Sequence, residues 1–449
     1  ASLALMVCNP GRIMRAIFLY AQALARPLKS GAQPGIINTE KECSLWGYKG
    51  DFAMENWGKK RHIGRWIYGI GILGVILINV AAWANVAFCD WYIANIFPFW
   101  LNTYARLTSL VPFSVGEIML VLAVLLTVFG VVFQIWNLCA RGRFKRALGR
   151  YWSAYAWIFL VVCYIMTSNC FIMYHASSFT DKYMYQNESG KMVADMNGRA
   201  VTEVVQEEKV VYTKKNLTIL RDYLVEKCNT LALEIDRDRN GEPVYDGDLV
   251  AESVEAMKNL GKDYEQLSGF YVTPKFLSAS EFFSQQYIMG YYFPFSMEAN
   301  INSMMHITNV APTVCHELSH TKGFIYEDDA NFIGFLACVK SDDKFLQYCG
   351  YLSVLNYVNN DFYESIDKNK NEYKKHVRIS DMVADDNIFL TKEDWEVVEK
   401  KAVVKTSTVK KVSNTLMETT LKLNGVEEGM QQYNEVVNLL LDYYNGVLY

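Results

Sequence analysis

Histidine is nearly absent from this chain. Six stand in 449 residues: His62, His175, His306, His316, His320 and His376. Chemistry that needs imidazole is therefore confined to a few positions. Cysteine is present ten times, but no C-x-x-C pair occurs, which argues against a cysteine-built zinc site. Cys89, Cys139, Cys163 and Cys170 fall in or near apolar segments, and only Cys228, Cys315, Cys338 and Cys349 belong to the back part. Free thiols are the expectation. Acids are missing from the front. Only Glu40, Glu42, Asp51, Glu55, Asp90 and Glu117 precede residue 176, against 16 Lys and Arg, a net charge of +10. The remainder holds 28 basic and 42 acidic residues, a net charge of −14. A basic, apolar front and an acidic back point to a membrane protein with a water-exposed domain, and away from nucleic-acid binding.

Charge of either sign is also missing from three long runs. Trp66 to Phe88, Ile118 to Trp136 and Tyr151 to Tyr174 are 23, 19 and 24 residues. At about 1.5 Å per residue, each is long enough to cross roughly 30 Å of hydrocarbon. Trp66, Trp136, Tyr151, Trp152 and Tyr174 mark their ends, where interfacial aromatics sit. Lys59, Lys60, Arg61 and Arg65 precede the first run. Arg141, Arg143, Lys145, Arg146 and Arg150 fill the loop between the second and third, while the 89–117 loop has only Arg106. The positive-inside rule then puts the N-terminus in the cytoplasm and everything after Tyr174 outside. The expected setting is multi-pass in a bacterial cytoplasmic membrane, with the lipid bilayer as a partner.

The expected domains are a tail over 1–60, a membrane domain over 61–175 and an extracytoplasmic domain over 176–449. In the tail, Ile13 to Ala25 reads as an amphipathic helix, too interrupted for a span and without a signal-peptide pattern. A disordered or interfacial tail is expected. Beyond Tyr174 no run reaches spanning length. The segment before His316 carries Asn302, Ser303, His306, Thr308, Asn309, Pro312 and Thr313, too polar for a site inside the bilayer. Helical periodicity places helices over Thr213–Ile235 and Leu249–Leu267, and a closing helical layer over Lys392–Tyr449. The run from Asp236 to Gly241 resembles the start of a calcium loop, but Gly247 stands where an acid is needed. It reads as a polar turn.

The chemistry concentrates in residues 316–331, HELSHTKGFIYEDDAN. His316 and His320 are four apart, one turn apart on one helix face, and able to share a metal ion. Glu317 between them stands where a general base belongs. Zinc suits such work, because three protein ligands leave a fourth position for water whose pKa falls to about 7. A third ligand is needed, and Glu327, Asp328 and Asp329 follow. Gly323 allows a sharp exit from the first helix. Met297 to Asn302 reads as a strand beside this helix. Glu298, Ala299 and Asn300 are the candidate substrate-edge strand, to which a peptide would pair by main-chain bonds.

H-E-x-x-H followed by Glu327-Asp328-Asp329-Ala330-Asn331 resembles the metallopeptidases of the glutamate-zincin type, which carry E-x-x-A-D or E-x-x-A-N. That resemblance implies Glu327 as third zinc ligand and Asn331 as the residue holding a ligand histidine. Tyr326 argues against the metzincins, which want His or Asp there. More widely, Gly290-Tyr291-Tyr292, Pro294-Phe295, Glu298-Ala299-Asn300, Cys315-His316-Glu317, His320, Gly323-Phe324, Ala330-Asn331-Phe332 and Gly350-Tyr351-Leu352-Ser353 resemble a bacterial integral-membrane family of unknown function. Three N-terminal spans precede a C-terminal zincin-like domain in that family.

The expected fold is mainly α: a three-helix transmembrane region, then an α-rich zincin-like domain with a small β-sheet, an α+β arrangement. The expected function is a membrane-anchored zinc metallopeptidase acting on a peptide or protein outside the membrane. Zn2+ is held by His316, His320 and Glu327, and Glu317 is the base. Tyr351, Tyr357, His376 and Arg378 are candidate oxyanion donors. Two other readings are a non-catalytic sensor or scaffold with a structural metal, and an amidase acting on cell-wall peptides.

Overall fold

A computed structural model describes residues 47–184, 192–194, 200–202, 212–423 and 435–449. The expected helix at Ile13 to Ala25 and most of the expected tail lie outside the described residues. Helix α1 (Gly47–Ala84) begins within the stretch read as tail and carries the first apolar run over Ile63–Ala84. It stops four residues short of Phe88. Asn85 adopts extended backbone and its side chain accepts the Phe88 N–H at 3.1 Å, which starts a separate helix over Val86–Asn95. Helix α2 (Val115–Cys139) holds the second run. The third is α3 (Lys145–Met166), prolonged by a π turn and a 3-10 turn to His175. All three stretches are long and apolar enough to cross a membrane. In the first two, large side chains face outward: Trp66 is 74% exposed and Leu125 58%. Such surface is costly in water and matched in hydrocarbon.

The chain divides into two compact units, residues 1–81 with 124–167, and residues 82–123 with 168–449. The first unit is helical. Gly71 lets Leu160 approach the backbone of α1, and the Tyr164 hydroxyl donates to the Gly71 carbonyl at 2.8 Å. Thr127 and Tyr155 join hydroxyls at 2.8 Å. Small residues and paired polar groups are what hold helices together in lipid.

The second unit is mainly helical with a small mixed sheet. An antiparallel pair, β1 (Met192–Ala194) and β2 (Ala200–Thr202), precedes it in the chain. Helix α4 (Lys214–Leu231) starts at a capping box: Thr213 Oγ1 accepts the Asn216 N–H, and Asn216 Oδ1 accepts the Thr213 N–H. Helix α5 (Leu249–Leu260) ends at Gly261, where a Cβ would lie 2.6 Å from the Leu267 carbonyl, so residues 265–267 form a separate 3-10 turn. Between these helices Asp238 takes the N–H groups of Asn240 and Glu242 at 2.8 and 2.9 Å, making the polar turn expected there. Further on come α6 (Val310–His320), α7 (Glu327–Val339), α8 (Lys344–Ser365), α9 (Lys392–Lys401), α10 (Thr406–Leu423) and α11 (Val436–Tyr444). The last three make up the closing helical layer. Among the described residues all eight cysteines are free.

The sheet runs β3 (Lys275–Phe276), β5 (Glu298–Ile301), β4 (Gly290–Phe293), with β3 parallel and β4 antiparallel to β5. Here one expectation is corrected. Glu298, Ala299 and Asn300 do form a strand, but it is the middle one, 0–1% exposed and paired on both sides, so no substrate can join it. The turn at 294–297 folds β4 back outside β5, and Lys275 draws β3 in from the other side through its ion pair with Glu298. The edge beside the H-E-x-x-H helix is β4.

Candidate metal centre

Helix α6 carries His316 and His320, and α7 carries Glu327 in its first turn. The two helices approach closely at Gly334, where a Cβ would sit 2.9 Å from the Pro312 carbonyl. Between them the chain turns at Gly323, whose φ of +92° is open to glycine and strained for other residues. The Gly323 N–H bonds the His320 carbonyl at 3.0 Å and the Phe324 N–H bonds the Ser319 carbonyl at 3.3 Å. This turn presents the Phe324 carbonyl to the ring of His320. It therefore ends the helix and orients a ligand at once.

The donor atoms converge. His316 Nε2 lies 3.1 Å from His320 Nε2 and 3.1 Å from Glu327 Oε2, and His320 Nε2 lies 4.0 Å from that oxygen. One ligand atom from each residue falls within 4.8 Å of the others. The outer ring nitrogens explain why. His316 Nδ1 bonds Asn331 Oδ1 at 2.9 Å, and His320 Nδ1 bonds the Phe324 carbonyl at 2.7 Å. Both partners are oxygens that accept, so each Nδ1 carries a proton and each Nε2 is turned inward. Two inward nitrogens and a carboxylate at one point need a shared positive charge, which a proton on His316 supplies when no metal is bound and a cation supplies in its place. Nitrogens on one tetrahedral zinc at ~2.0–2.1 Å lie about 3.4 Å apart, close to the spacing found. Two imidazoles and one carboxylate are also a donor set zinc accepts. The residues present fit the ion.

Burial sets the titration of these groups. It holds His320 down to about 4, helped by neighbouring His316, so this ring is neutral at pH 7. Burial also opposes the charge of His316, but the bond to Glu327 outweighs it and the pKa moves up. Glu317 is 4% exposed, and burial pushes its carboxyl up to about 8. Its Oε2 is buried with no hydrogen-bond partner among the described residues. Gly290, at the start of β4, lies against this carboxyl, where any Cβ would collide with it.

The rival third ligands are engaged elsewhere or turned away. Asp329 Oδ2 accepts the Phe179 N–H at 2.8 Å, and Asp328 is not part of the cluster. Glu298 stands outside the site. Its carboxylate accepts the N–H groups of Val115 and Gly116 at 3.1 and 2.7 Å and pairs with Lys275. Of the four oxyanion candidates, His376 bonds Asp222 at 3.0 Å, Arg378 bonds Asp381 on the surface, and Tyr351 packs among Tyr223, Phe335 and Tyr444. Tyr357 alone senses the site. Burial first, and then the charge of Glu327, raises its pKa.

A family model matches residues 92–441. The chain belongs to that family, described as Protein of unknown function (DUF3810). The DUF3810 match takes in the second and third apolar helices, the whole sheet and every residue of the candidate centre, and leaves out the first span. No curated protein and no solved structure matches the chain.

Sequence reasoning missed β4 as the edge strand beside the helix, among the described residues, and Glu298 as an anchor. A signal existed for the second: Glu298 is the only Asp, Glu, Lys or Arg between Glu281 and Glu317. A lone charge in so apolar a stretch needs a built partner, and Lys275 with two main-chain N–H groups supplies it.

Proposed function

We propose that this protein is a membrane-anchored, zinc-dependent hydrolase of peptide bonds, with a zincin-like site. The observation that carries the reading is the pair of Nε2 atoms turned on one point beside Glu327, each ring held by an oxygen behind it. His316, His320 and Glu327 would hold the ion. When bound, zinc supplies a Lewis acid that lowers the pKa of water and polarises a carbonyl.

The chain's own groups do the rest. Glu317 takes the proton of the attacking water and returns it to the leaving amine. A carboxyl whose pKa burial has lifted toward neutrality is matched to both transfers. The Tyr357 phenol donates to the oxyanion. It makes no hydrogen bond within the described residues and is therefore available. Asn331 keeps the tautomer of His316. Among the described residues β4 is an edge strand of the sheet, and an extended substrate would lie along that edge.

The location proposed is the outer face of a bacterial cytoplasmic membrane. Support comes from the basic residues at 141–150 between the second and third spans. It comes also from packing: the 82–123 segment shares a compact unit with residues 168–449, so the loop after the first span and the metal centre lie on one side. The test is hydrolysis of a peptide library by the full chain, with and without a chelator. Chelator-sensitive cleavage is expected. Zinc bound without cleavage of any peptide would leave a structural metal in a scaffold.

A further inference from the structure

We infer that the substrate is an extended juxtamembrane segment of a membrane-anchored polypeptide, cut within a few residues of the bilayer. This rests on the peptidase reading above. The geometry is that of β4. At one end Gly290 lies against Glu317. At the other the Phe293 ring packs on Gly116, the second residue of α2. Four residues of strand separate these ends, a distance of ~10 Å at about 3.3 Å per residue.

The turn that follows is seated on membrane-entering helices. Asn169, inside the third apolar stretch, donates Nδ2 to the Pro294 carbonyl at 3.0 Å, and its own carbonyl accepts the Tyr292 hydroxyl at 3.2 Å. The Tyr104 hydroxyl donates to the Phe295 carbonyl at 2.7 Å. Glu298 caps the start of α2. Glu117 accepts the N–H groups of Ser278 and Ala279 at 2.8 and 3.0 Å. The sheet that frames the site is thus fixed to the first turn of a span.

A second observation sets the same level. Lys275 Nζ donates to the carbonyls of Thr108 and Phe113, which holds β3 beside the loop entering α2. On that loop Leu110 is 80% exposed and Phe113 50%, and on β3 Phe276 is 55% exposed. Exposed aromatic and aliphatic side chains on the loop that enters a span and on the strand tied to that loop belong in the headgroup layer, which is ~5–8 Å deep on each side. Gly290, against Glu317, is then ~10 Å along β4 from the first turn of that span. An extended chain leaving the bilayer covers ~10 Å in about three residues, so an anchored substrate reaches the edge of β4 directly. A soluble peptide would have to approach down the same wall without the gain in local concentration that anchoring provides.

The test uses the full zinc-loaded chain in vesicles of phosphatidylethanolamine and phosphatidylglycerol. The probes are single-span polypeptides with a degenerate six-residue window placed 2 to 20 residues outside the span, and the same windows as soluble peptides. Mass spectrometry reads the cut positions. The inference predicts cuts within about six residues of the anchor, with turnover at least on the order of 10-fold above that of the soluble windows. Equal turnover of soluble windows, or cuts spread evenly out to 20 residues, overturns the inference and leaves the peptidase reading standing. No cleavage of any probe by protein shown to hold zinc overturns both.

Discussion

Two walls meet at the candidate centre, and each buries a glutamate. On the helical wall Glu317 is 4% exposed and one carboxylate oxygen has no partner among the described residues. On the sheet wall Glu298 is 1% exposed, and Lys275, Val115 and Gly116 satisfy it fully. A buried carboxylate left unpaired costs stability, and folds keep such a group where chemistry needs it. One that is fully paired is structural, and removing it is what costs. The same residue type thus takes opposite roles within one unit, and its partners decide which.

The sharpest way to break this comparison is Glu317→Gln. Hydrolysis should fall about 10²–10⁴-fold, the range for loss of a general base, while zinc content and melting temperature hold. A large drop in melting temperature would put Glu317 in the structural class. The mirror experiment is Glu298→Gln. Breaking one side of a buried pair costs ~3–5 kcal/mol, so thermal unfolding should move down by many degrees. An unchanged transition would show that the sheet is not anchored through this pair. A smaller effect sits at Tyr357→Phe. Loss of an oxyanion donor should lower kcat by ~10²–10³, with KM and zinc content unchanged. A shift in KM alone would make it a binding residue. Smallest is Asn331→Ala, which should weaken zinc affinity about 10–100-fold and leave kcat of the saturated protein close to the parent value. Zinc affinity equal to the parent's would show that the Asn331 bond does not hold His316.

Much of this was legible in the sequence, and what failed to show has a physical reason. The spans announce themselves because hydrocarbon tolerates no charge over about 20 residues. The helical wall announces itself because His316 and His320 work at a fixed local spacing, and Gly323 marks the turn that returns Glu327 to them. The polar turn at 236–241 was readable for the same reason, since it is decided within a few residues. The sheet wall was read wrongly. Within the expected 297–302 only Glu298–Ile301 makes a strand, Met297 ending the turn before it, and which strand is central depends on pairing with Lys275, 23 residues away from Glu298 in sequence. A period-2 pattern carries no information about that order. Glu298 was misread with it: its partners on α2 are 182 and 183 positions distant. The end of α1 at Ala84 was missed for a subtler reason. Asn85 interrupts the helix without interrupting the apolar run.

The most direct test of the metal centre is the zinc content of the purified full-length chain, stripped with a chelator and then resupplied, beside a His316→Ala variant treated alike. The convergent donors predict one zinc per chain regained by the parent and none by the variant. No zinc in the parent, or equal zinc in both, would contradict the account.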